Sequence, residues 1–134
     1  MGFSTSKEIQ RELDRDITEH LGGNWHFVRH QPRGCIEKIP HAKAVKFELH
    51  PDRFIDGHQS FVLFDGEHKQ KSIGFFDFKI TSPYSGIHKL NDHEHNHRLF
   101  KFTSDGRMLI QTRRALCFEV WHKDDYKEIE WYNP

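Results

Sequence analysis

Apolar residues recur at every fourth position near the start of the chain and at every second position afterwards. Ile9, Leu13, Ile17 and Leu21 stand among charged neighbours and place one apolar stripe on an amphipathic helix. Thr5 and Glu8 have capping-box spacing, and Gly22-Gly23 is a stop signal, so the pattern predicts a helix over about 6 to 21. From Trp25 the period falls to two, as when a helix hands over to half-buried strands. Val45, Phe47 and Leu49 alternate with polar residues, as do Phe76, Phe78 and Ile80, and Phe100 and Phe102 flank Lys101. Met108, Ile110 and Thr112 share a face, as do Leu116, Phe118 and Val120, while Phe61 with Leu63 and Ile129 with Trp131 suggest shorter strands.

Turn signals separate these runs at Arg33-Gly34, Pro51-Asp52, Asp56-Gly57, Asp65-Gly66, Ser82-Pro83, Ser85-Gly86 and Asp105-Gly106. About eight to ten short strands in up-and-down order, with helical pattern only at the start, predict an all-β protein: a meandering antiparallel sheet closed into a barrel. There is no βαβ pattern, internal repeat or linker, which predicts one domain over 1–134, its helix at 6–21 and its barrel at 24–132.

Composition narrows the function classes. The chain of 134 residues is only 35% apolar, but 12 Phe, 3 Trp and 3 Tyr concentrate apolar area in few positions, enough for one core. Lys plus Arg and Asp plus Glu are 20 each, and this balance argues against nucleic acid as a partner. No segment has the length and apolarity of a membrane span, and the first residues lack the pattern of a signal peptide; Gly2 with Ser6 fits only the loose myristoylation pattern. The reading is cytoplasmic, and for Cys35 and Cys117 free thiols are expected there, not a disulfide.

Gly23-Asn24-Trp25 after a short helix resembles the Gly-x-Trp signature of lipocalins and the wider calycin group. The stretches 47–52 and 102–109 are similar in strand and turn rhythm to bacterial lipocalin-like domains. The resemblance implies an up-and-down barrel with Trp25 at its base and a small molecule in its lumen. Trp25 with Arg29 also matches the Trp-x-x-x-Arg start of phycobilin lyases, which implies an enzymatic alternative.

Strand faces read this way send Phe47, Phe76, Phe78, Phe100, Phe102, Ile110 and Phe118 into the lumen, where they either line a ligand cavity or pack it solid. Arg29 falls on the face of Trp25 and Phe27. It either meets a ligand acid group or, like Arg113 or Arg114, stacks on Trp25 and closes the barrel end. His93, His95 and His97 lie two apart and could present imidazoles together to zinc, nickel or copper. The run is polar, falls between two strands and lacks a further ligand at recognisable spacing, so it reads as a solvated hairpin loop with no native metal. No nucleophile elbow is present, Cys117 reads as an inert thiol, and no cofactor is named by the residues.

The expectation is intracellular binding of a small hydrophobic or amphipathic ligand by Trp25, Arg29, Phe47, Phe76, Phe78, Phe100, Phe102 and Phe118. Two alternatives stay open: an enzyme of the same fold acting on such a ligand, of bilin lyase or isomerase type, and an interaction protein with a solid barrel.

Overall fold

The computed structural model describes residues 17–55, 58–66, 71–82, 85–89, 97–112, 114 and 116–124. Among them eight strands follow in chain order: β1 (Gly23–Gln31), β2 (Ala44–Ile55), β3 (His58–Asp65), β4 (Ser72–Ser82), β5 (Ser85–Lys89), β6 (His97–Phe102), β7 (Met108–Gln111) and β8 (Phe118–Lys123). Each pairs antiparallel with the next, and β8 pairs with β1, so the sheet is a closed up-and-down barrel. Closure removes the unpaired edges that an open sheet would expose. No helix among the described residues is long and apolar enough to cross a membrane.

The helix is described only over 17–21; its predicted start lies outside the described residues. Ile17 and Leu21 are buried, so the apolar stripe does cover the barrel end. A helix C-terminus leaves carbonyls without intrahelical partners, and here the barrel supplies donors. Trp25 Nε1 donates to Leu21 O at 2.8 Å, and Lys123 Nζ donates to His20 O at 2.7 Å. The ammonium also suits the negative end of the helix dipole. Lys123 lies 5.7 Å from the Trp25 ring centroid, so a lysine from β8 takes the place expected of an arginine.

Two predicted turns lie inside strands. Pro51-Asp52 falls within β2, between Leu49 and Phe54, where the pairing with β3 shifts register. Proline lacks an N–H and is tolerated where the ladder is interrupted. Ser85-Gly86 opens β5 because that glycine answers a packing need. A Cβ on Gly86 would lie 2.5 Å from Lys79 O and 2.7 Å from Phe100 Cζ. Gly86→Ala is therefore expected to overpack the core and cost about 1–3 kcal/mol in urea unfolding, whereas a neutral result would show that the β4 backbone at Lys79 and the Phe100 ring can both give way. The suggested strand at Ile129 and Trp131, and the barrel beyond residue 124, lie outside the described residues.

Contrary to expectation, Cys35 and Cys117 form a disulfide, with Cα atoms 6.4 Å apart, within the ordinary span for such a bridge. It ties the β1–β2 connection to the segment just before β8. Two cysteines 82 positions apart, with no local motif, carry no sequence signal for this contact.

Candidate functional site

The barrel interior divides into a filled end and a hollow one. At the helix end Trp25, Phe61, Phe78, Phe100 and Phe102 are all less than 2% exposed. Their rings meet at centroid distances near 6 Å, such as Phe78–Phe100 at 6.1 Å and Trp25–Phe102 at 6.3 Å. These are the spacings of favourable aromatic pairs, and they leave this end solid. Phe47 and Phe76, 5.2 Å apart, form the boundary.

Beyond that boundary lies a cavity of about 200 Å³. Val45, Leu63, Ile73, Met108, Ile110 and Trp121 give it apolar walls, and Pro40 and Ala42 from the β1–β2 connection add to them. Three polar side chains also line it: His88, Arg98 and Glu119. Glu119 Oε1 accepts from Trp121 Nε1 at 3.2 Å.

His88 and Arg98 are direct cross-strand partners on β5 and β6, so their side chains emerge side by side. His88 is 7% exposed, and its ring stacks on Phe76 at 4.0 Å with an interplanar angle of 11°. Its Nδ1 lies 3.1 Å from Asp77 O, a pure acceptor, so Nδ1 carries the hydrogen and Nε2 is a bare acceptor. Burial, and then the Arg98 charge, push the imidazole down to about 4, against the opposite pull of the Asp77 hydrogen bond; the ring is neutral near pH 7.

The residue supporting His88 is itself fixed from outside the barrel. Arg53 Nε and Nη2 donate to Asp77 Oδ1 and Oδ2 at 2.9 and 2.8 Å, a bidentate pair. Burial acts to raise the Asp77 carboxyl, and the Arg53 hydrogen bonds and charge, with smaller help from Ser60 and His88, together leave that group below its ordinary value. Arg53 in turn sits 4.1 Å from the Phe75 ring centroid.

Of the expected ligand-contacting residues, only Phe47 and Phe76 line the cavity. Phe78, Phe100 and Phe102 face inward but belong to the solid end, as does Trp25. Arg29 is exposed, because the β1–β8 register shifts between Phe27 and Arg29. Phe27 pairs with the cavity-lining Trp121, but Arg29 pairs with Val120 on the outer face. A one-residue slip reverses every later side chain. Phe118 also lies on the outer face, with Lys101 Nζ 5.1 Å from its ring centroid, while Glu119 and Trp121 of the same strand face inward.

His93 and His95 lie outside the described residues, and His97 opens β6 opposite Lys89. Among the described residues no three His, Cys, Asp or Glu side chains converge on a metal position. Arg98 was legible by extending the Phe100–Phe102 face back two residues. His88 carries no such signal, because the turn-like Ser85-Gly86 stands where β5 begins.

Comparison of the chain with protein-family models, with curated proteins and with solved structures finds no match.

Proposed function

We propose that this protein binds a small amphipathic molecule in the hollow end of its barrel. The observation that carries this reading is the cavity of about 200 Å³, bounded by Phe47 and Phe76 and walled by aliphatic and indole groups. Apolar cavities of roughly 150 Å³ accept benzene, so the space suits one ring or a short acyl group, not a tetrapyrrole or a long chain. This size favours binding of a compact ligand over a bilin lyase activity. The hollow end likewise argues against the solid-barrel alternative.

The Cys35–Cys117 bridge favours an oxidising compartment over the cytoplasm read from the sequence, because thiols in a reducing cytosol stay reduced.

Toluene titrated into the oxidised protein is expected to quench or shift Trp121 fluorescence saturably and to raise Tm. A cavity-filling change, Leu63→Trp, is expected to abolish both effects. Saturable binding absent at millimolar toluene, or unchanged in the filled variant, would refute the reading.

A further inference from the structure

We propose that the cavity is a site for a monocyclic phenol, its ring among Phe47, Phe76 and Ile110 and its oxygen bridging His88 and Arg98. The inference rests on the cavity-binding reading above and names its ligand class. The two polar groups that stand side by side on β5 and β6 make opposite demands. His88 Nδ1 is committed to Asp77 O, so the ring offers the lone pair of Nε2 and asks for a donor. Arg98 is half-buried and carries only donors, five N–H groups, so beside its other neighbours it can serve a ligand acceptor.

One hydroxyl satisfies both demands with a single atom: its O–H donates to Nε2 and its lone pairs accept from the guanidinium. A carboxylate would satisfy Arg98 and set lone pairs against Nε2. An ammonium would satisfy Nε2, and Glu119 could take another of its hydrogens, but its charge would stand against the Arg98 cation; a neutral aniline nitrogen, its lone pair drawn into the ring, donates to Nε2 and is a poor acceptor for Arg98. A methyl ether accepts from Arg98 and has nothing to give His88. The apolar walls and the volume, slightly above that which accepts benzene, call for a ring behind the hydroxyl. A phenol stays protonated near neutral pH, with a pKa near 10, so its donor is present when His88 needs it.

The geometry is held from several sides. Stacking on Phe76 fixes the plane of the imidazole, the Asp77 carbonyl fixes its rotation, and Arg53 holds the Asp77 side chain. A rigid, oriented acceptor loses little freedom when a ligand arrives.

The test uses the oxidised wild-type protein and calorimetric titration with phenol, anisole, toluene, aniline and benzoate at pH 7. Phenol is expected to bind most tightly, by roughly tenfold over anisole and more over toluene, the tenfold being what one hydrogen bond contributes. In Arg98→Met and in His88→Phe the advantage of phenol over toluene is expected to collapse while toluene binding persists. Because the ligand series is run on the unaltered protein, misfolding of either variant leaves the comparison intact. Equal affinities for phenol and toluene would overturn the phenol assignment and leave the cavity reading standing. Preference for benzoate or aniline would overturn it in favour of an acid or amine site. Failure of all five to bind would sink both readings together.

Discussion

Replacing Trp25 with Ala is expected to destabilise the protein by about 3–5 kcal/mol in urea unfolding, the range for deleting a large aromatic from a tight core. The indole is fully buried, with 0% exposure, and packs against Phe102 at 6.3 Å and His20 at 5.5 Å. Two losses add. A cavity opens in the end of the barrel that is otherwise solid, and Leu21 O loses the Nε1 donor that satisfies the helix terminus. Trp25→Phe separates them: it keeps most of the apolar burial and removes the hydrogen bond, and about 1–2 kcal/mol is expected. A loss below 1 kcal/mol for the Ala variant would mean that the helix does not depend on the barrel for its C-terminal contacts.

The same tryptophan illustrates what sequence can transmit. Trp25, Phe47, Phe76, Phe78, Phe100 and Phe102 are each flanked by polar or outward positions, and period-two alternation placed all six inside. Alternation stops informing where the ladder slips. Nothing between Phe27 and Arg29, neither glycine nor proline, announces the register shift that turns Arg29 outward. Strand β8 fails for a different reason: the more apolar of its faces, with Phe118 and Val120, is turned outward, while the inner face carries Glu119, Trp121 and Lys123. Val120 is buried on the outer face and Trp121 on the inner, so alternation points Phe118 inward and only the pairing with β1 and β7 reveals the opposite orientation.

The candidate site was less legible than the fold because its polar members are single residues on three strands. His88, Arg98 and Glu119 have no shared motif, and their convergence follows from closure of the barrel and the β5–β6 register. Of the twelve histidines in the sequence the densest run, at 93–97, carries the stronger local signal, and the histidine that stacks on Phe76 stands isolated. Buried polar groups in apolar cavities are better found from the strand face they share with the core than from local density.

Removing the Cys35–Cys117 bridge is expected to cost about 2–5 kcal/mol, and to act on the cavity more than on the strands. The bridge joins residues 82 positions apart, and chain entropy for a loop of that length gives about 4.5 kcal/mol before any change in the folded state. The β1–β2 connection it anchors buries little of its own apolar surface: Ile36 is 94% exposed and Ile39 57%. Its far end is tied down by Phe27 N donating to Lys43 O at 2.7 Å and Gly66 N donating to Ala44 O at 2.8 Å. The stretch that carries Pro40 into the cavity wall therefore relies on the bridge. In the Cys35→Ser/Cys117→Ser double variant, hydrogen exchange is expected to rise sharply over 33–40 while β2, β3 and β4 remain protected. Toluene affinity is expected to fall several-fold in parallel, because Pro40 no longer closes the wall. Free thiols in air-refolded wild-type protein would refute the bridge itself. Unchanged exchange over 33–40 in the double variant would show that this segment is held by its own contacts, and the cavity wall would then be independent of the disulfide.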